Sequence, residues 1–158
     1  MATAPLLDSP LNAQDVARGI GRLFWQQKRS MLTEVMLPGG RRVDIMALGE
    51  DGRFAIVEIK VSVADLRGDT KWPDYLPWCD EFYWGIPAGF DASLLDEECF
   101  APGACGLIVA DRFDAAILRP ASRDPLAAAR RKKATLIFAR TGATRQMHAN
   151  DVFLAEGR

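Results

Sequence analysis

Apolar and polar positions follow two different periods along this chain. From Asn12 to about Lys28, Val16, Ile20, Leu23, Phe24 and Gln27 recur at helical spacing, and Asn12 is placed to cap the first turn, so a helix is expected there. After Ser30 the period shortens. MLTEVML, RRVDIMALG and RFAIVEIKV, separated by Pro38-Gly39-Gly40 and by Gly49-Glu50-Asp51-Gly52, read as three strands joined by hairpin turns. Ser62 with Asp65 three residues on fits a capping box and a short helix, and Thr70 is placed to begin another turn that Pro73 and Pro77 keep short. EFYWGIP, from Glu81 to Pro87, reads as a fourth strand. GLIVAD and AAILRP read as a hairpin turning at Asp111 to Asp114. A helix with a cationic face is expected from about Asp124 to Arg140. The order is therefore helix, three strands, helix, strand, hairpin, helix.

Composition narrows the class. A chain of 158 residues, 49% apolar, suits one domain spanning residues 1–158 and burying about 70% of its unfolded surface. Residues 1 to 11 read as a loose leader. Nothing approaches the roughly 20 uninterrupted apolar residues of a membrane helix, and MATAPLLDSP lacks a basic segment followed by an apolar one, so the expectation is a cytoplasmic protein without membrane contact. Cys79, Cys99 and Cys105 have no C-x-x-C spacing, and His148 is the one histidine, in what reads as a polar tail. That argues against a zinc site, a disulfide framework or a Cys/His nucleophile, and each Cys is expected to be a small buried hydrophobe. The net charge of −1 conceals an uneven spread: Arg130, Arg131, Lys132 and Lys133 stand together, while Asp91, Asp96, Glu97 and Glu98 form an acidic stretch. The cationic run reads either as a solvated helix face or as a phosphate-binding edge.

The second hairpin carries the chemistry. If Glu50-Asp51-Gly52 is a three-residue loop with Gly52 left-handed, partner numbers across it sum to 102. Asp44 then opposes Glu58, Met46 opposes Ile56, Leu48 opposes Phe54, and Arg42 opposes Lys60, and because side chains alternate, all eight share one face. Two opposed carboxylates repel, and Glu58 lies in an apolar strand where desolvation raises its pKa. A Mg²⁺ (or Mn²⁺) ion, which takes one or two protein carboxylates and leaves positions for water and phosphate, is the simplest compensation. Lys60 beside it is placed to orient or deprotonate a water or to meet phosphate charge, which is the chemistry of phosphodiester hydrolysis. The competing reading makes Asp44, Glu58 and Lys60 ordinary polar residues of a half-solvated hairpin.

The pattern Asp44-(13)-Glu58-Ile59-Lys60, on the second and third strands after a helix, resembles the PD-(D/E)XK nuclease superfamily over roughly residues 12 to 87. More specifically, VDIMALGEDGRFAIVEIKVSVADLRGDTKWPDYLPWCDEFYWGIP resembles the MmcB-like family of bacterial DNA-repair proteins. The resemblance implies an α/β, restriction-endonuclease-like core: a mixed sheet flanked by helices, in the order α-β-β-β-α-β with a C-terminal hairpin and helix added. It also implies Asp44 and Glu58 as metal ligands with the Ile59 carbonyl, and Lys60 as the catalytic lysine. Val43 stands where the superfamily's proline would be.

Glu34 is a candidate further carboxylate, against a plain solvent-facing glutamate. Lys71 and Tyr75 resemble the Q-x3-Y element of some relatives, with lysine for glutamine. Trp72, Trp78 and Trp84 are expected in the core, Trp72 being the best of them for stacking on a base. Two functions follow: a metal-dependent deoxyribonuclease acting in DNA repair, or a non-catalytic DNA-binding or scaffold subunit of a repair assembly that uses the basic helix. DNA is the expected partner in both, with other repair proteins beside it. A small-molecule hydrolase finds no G-x-S-x-G elbow here.

Overall fold

A computed structural model describes residues 9–157. The first eight residues of the expected leader lie outside the described residues. The observed elements are α1 (Ala13–Gln26), β1 (Arg29–Met36), β2 (Arg42–Gly49), β3 (Phe54–Ile59), α2 (Val63–Gly68), a 3-10 segment (Trp72–Trp78), β4 (Glu81–Pro87), two further 3-10 turns (Ala92–Asp96 and Glu98–Phe100), β5 (Gly106–Ala110), β6 (Ala115–Arg119), α3 (Ala128–Asn150) and α4 (Val152–Ala155). The six strands form one mixed sheet in sequence order. β1, β2 and β3 pair antiparallel, β3, β4 and β5 pair parallel, and β6 returns antiparallel to β5.

The expected helix order holds, with the ends of its elements set by local hydrogen bonds. Asn12 caps α1 reciprocally with Asp15, so both polar side chains satisfy main-chain donors that the first turn leaves open. The Ser62 hydroxyl accepts from Asp65 N–H and starts α2. The next turn is capped by Asp69, not Thr70: its Oδ1 accepts from Lys71 N–H at 3.0 Å and Trp72 N–H at 3.1 Å.

The last long helix differs most from expectation. It begins at Ala128 because the preceding irregular segment is tied to Asp80: Asp124 N–H bonds to its main-chain carbonyl and Leu126 N–H to its side chain. It then continues ten residues past Arg140, which places His148 in its final turn instead of a polar tail. Among the described residues no helix is long and apolar enough to cross a membrane.

Each face of the sheet is covered. Val16, Ile20 and Phe24 of α1 pack on Ile45, Ala47, Ala55, Val57, Ile59 and Tyr83. The other face carries a larger cluster built on Met46, Phe54, Ile56, Phe82 and Trp84, closed by Leu66, the 3-10 segment and Ala134 of α3. Trp72 and Trp84 form an edge-on pair with ring centroids 5.2 Å apart, and Trp72, Trp78 and Trp84 are all buried. That geometry removes Trp72 as a platform for bases. Cys79 and Cys105 are buried as expected, whereas Cys99 is exposed.

Arg131 has a structural task. Its guanidinium donates to both oxygens of Asp80 and to the Gly52 carbonyl, and the 3% exposed Asp80 also accepts from Phe54 and Leu126 N–H. Arg130 stacks over Trp78 at 4.3 Å and Lys133 lies 5.8 Å from the same ring, while Lys132 is exposed and has no such partner among the described residues. The cationic run is therefore mainly a clamp of α3 onto the domain. Removing the arginine leaves a buried carboxylate short of its cation, so Arg131→Ala is expected to lower stability by on the order of 3 kcal/mol. Chemical denaturation checks this, with Lys132→Ala as a near-neutral control.

Candidate functional site

Pairing across the second hairpin follows the expected register: Ile45 faces Val57, Met46 faces Ile56, Ala47 faces Ala55 and Leu48 faces Phe54. Gly52 adopts φ +80°, the left-handed conformation that a side chain would strain. The ladder ends at Ile45 and Val57. Beyond it β3 stays with β4, since Lys60 N–H donates to the Gly85 carbonyl, while Arg42 pairs with Met36 of β1. Arg42 and Lys60 are thus not partners. The two strands part at the position of Asp44 and Glu58.

Their side chains bridge the gap that the missing ladder bonds leave. Asp44 Oδ2 accepts from Ile59 N–H at 2.8 Å, and Glu58 Oε1 accepts from Asp44 N–H at 3.1 Å. Each carboxylate is held on the other strand's backbone, which brings the two acids together at the fork. The remaining oxygens, Asp44 Oδ1 and Glu58 Oε2, accept no hydrogen bond from the described residues. Because peptide groups alternate along a strand, the Lys60 bond to β4 turns Ile59's own N–H and carbonyl toward this opening.

The pleat is irregular at the same level. Val43 and Met46 share one face of β2, and Leu32 and Val35 share that face on β1, although three-residue spacing in a regular strand puts such pairs on opposite faces. Glu34, opposite Asp44, has φ +51°, a left-handed conformation that costs a non-glycine residue about 1 kcal/mol or more. One-face alternation of the whole hairpin is corrected accordingly: Asp44 is displaced toward the gap. Arg145 of α3 holds the irregular segment, donating to the Thr33 carbonyl at 2.6 Å and the Glu34 carbonyl at 2.8 Å. The Glu34 side chain is exposed and 4.0 Å from Arg42. A groove of about 190 Å³ opens here, bounded by Gln14, Ala17, Thr33, Glu34, Asp44 and Ile59.

Lys60 is almost fully buried and its Nζ lies 2.8 Å from Asp69 Oδ2. Burial opposes its charge, but the Asp69 carboxylate more than offsets that and holds the ammonium above its usual range. Asp69 therefore does two things, fixing the 3-10 turn with one oxygen and Lys60 with the other. Nothing in the sequence marked this residue. Tyr75 is buried and its hydroxyl donates to the Arg42 carbonyl, whereas Lys71 is exposed at the start of the turn. The two do not converge on a single contact.

Burial and then the neighbouring Asp44 charge push Glu58 up from 4.5 to about 8, and burial also raises Asp44. A carboxyl raised in the folded state binds a proton there that the unfolded chain has released, so stability falls as pH rises between 4.5 and about 8. Urea midpoints measured from pH 5 to 8 without metal should decline for the natural sequence. In Glu58→Gln most of that slope should be gone, and an unchanged slope would contradict the burial assigned to this carboxyl.

Among the described residues no three His, Cys, Asp or Glu side chains converge as a metal cluster. The donor set is two carboxylates with open oxygens and one main-chain carbonyl. That is a small all-oxygen set, and it fits Mg²⁺, which keeps most of its shell as water or phosphate.

The protein is an α/β domain with a mixed six-stranded sheet between helical layers, carrying a half-buried Asp44, a buried Glu58 and a buried Lys60 where two strands part. The chain belongs to the family of DNA-repair proteins described as MmcB-like, whose model matches residues 4–152. A solved structure from Silicibacter pomeroyi, the SPO1766 protein of unknown function, is 37% identical, with 95% of each chain covered and a TM-score of 0.81. No curated protein matches.

Proposed function

We propose that this protein is a metal-dependent deoxyribonuclease of the PD-(D/E)XK type that acts in DNA repair. The observation that carries the reading is the crossed pair of hydrogen bonds at the strand fork, which spends one oxygen of each carboxylate on backbone and leaves the other open. Asp44, Glu58 and the Ile59 carbonyl are the residues that would hold Mg²⁺ or Mn²⁺. When bound, such an ion supplies Lewis-acid activation of water and of the phosphate.

The chain's own groups do the rest. Lys60, fixed by Asp69, presents a positive charge two residues from Glu58, suited to meeting a phosphate oxygen whose charge grows as the bond to the leaving oxygen lengthens. Glu58 must be ionised to serve, and the charge that keeps it protonated in the free protein is Asp44's after burial itself. A cation between them relieves both. The apolar wall behind the pair, from Ile56 to Trp84, keeps bulk water off one side of the site. The DNA-repair role itself rests on membership of the MmcB-like family.

A second reading has an observation of its own. Lys60 is engaged with Asp69 and not with the acidic pair, as expected if the site were retained only as part of the fold of a non-catalytic DNA-binding or scaffold subunit. Purified protein with Mg²⁺ or Mn²⁺ on single-stranded, duplex and branched DNA separates the two. Cleavage is expected, abolished by chelator and by Glu58→Ala, and reduced about 10²- to 10³-fold by Lys60→Ala. Absence of cutting on every substrate with either ion would leave the non-catalytic subunit as the function.

A further inference from the structure

The outer face of α1 leads away from the groove beside Asp44. Gln14 borders it, and Arg18 and Trp25 follow at four and eleven residues further on, positions that a 3.6-residue turn stacks on one side of the helix. Trp25 is 77% exposed, more than any other large apolar side chain described. Arg18 and Arg22 are exposed and, among the described residues, neither is paired with a carboxylate. Phe113, 56% exposed, stands across a shallow groove from Trp25, and Arg22 donates to its carbonyl at 3.3 Å.

This groove is built by close packing. At Gly19 a Cβ would collide with the carbonyls of Asp111 and Asp114, so glycine there lets α1 rest directly on the β5–β6 turn and sets Phe113 beside the helix. The one carboxylate lining the groove, Asp114, accepts from Ala115 N–H. Two cations and two exposed aromatic rings, with Trp25 roughly 16 Å along the helix from Gln14, form an arrangement that matches unstacked nucleotides: phosphates on the arginines, bases on the rings.

We infer that the outer face of α1, through Arg18, Arg22, Trp25 and Phe113, binds single-stranded DNA and guides it to the acidic fork. This rests on the reading of the protein as one that works on DNA and specifies the strand form that it takes. An exposed tryptophan has nothing to offer the base edges of an intact duplex, whereas a single strand presents a ring face at every nucleotide.

Binding of a labelled oligothymidylate, followed by fluorescence anisotropy in chelator, tests this without any need for cleavage. Trp25→Ala should weaken binding about 5- to 140-fold, and Arg18→Ala with Arg22→Ala should lower the slope of log affinity against log salt by about 1.4. Duplex of the same length should bind with an affinity that Trp25→Ala does not change.

Unaltered oligothymidylate affinity in Trp25→Ala overturns the proposal. So does a Trp25→Ala that loses only self-association in sedimentation, which would make this face a protein-binding surface. Trp25-dependent binding without cleavage under any ion would remove the nuclease reading and leave this one standing.

Discussion

Asp44 and Glu58 stand where β2 and β3 stop pairing, and the rest of the site depends on how that separation is held. An antiparallel ladder that opens exposes main-chain donors, which in a buried setting must find acceptors. Here the acceptors are the two carboxylates themselves, each reaching to the opposite strand. The same bonds that satisfy the backbone fix the direction of both side chains and leave one oxygen of each uncommitted. A regular hairpin with these residues would set two anions against each other on a flat surface, where nothing orients them toward a common ligand.

Holding that fork open involves parts of the chain far from it. Glu34 is kept in a left-handed conformation opposite Asp44, and Arg145, more than a hundred residues later, grips the two carbonyls on either side of the irregularity. Asp69 ties Lys60 to the 3-10 turn that follows α2. Arg131 and Asp80 anchor the start of α3, which in turn positions Arg145. The site is therefore supported from three sides by ion pairs and charge-assisted bonds, each of which is stronger in a partly buried setting than on an open surface.

Placing a lysine beside one buried and one half-buried carboxylate while pairing it with a third acid gives the site an uneven charge. Asp44 and Glu58 lack a full counter-charge, so burial raises both, whereas Lys60 is well compensated and stays charged. Such an arrangement leaves the acidic pair short of positive charge, without asking the lysine to serve as its partner. It also separates positioning from charge: Asp69 determines where the ammonium sits, and the fork determines where the negative charge sits.

Local patterning was enough to determine the helix from Asn12, the strands, their hairpin turns and the register that pairs Ile45 to Leu48 with Phe54 to Val57, because periodicity, a capping pair and a left-handed Gly52 are all properties of neighbouring residues. It also placed Trp84 in the core. What it could not reach were contacts between residues distant along the chain: the end of the ladder at Ile45, the break in the pleat at Glu34, the Asp69 brace on Lys60, and the diversion of Arg131 from a surface cation to the partner of a buried acid. The helical stretch past Arg140 and the exposed Trp25 belong with these, since burial is decided by what packs against a segment. Pairing rules act over a few residues, while the opening of a strand fork is a balance struck by the whole sheet and the helices that cover it. Only the assembled fold decides that balance.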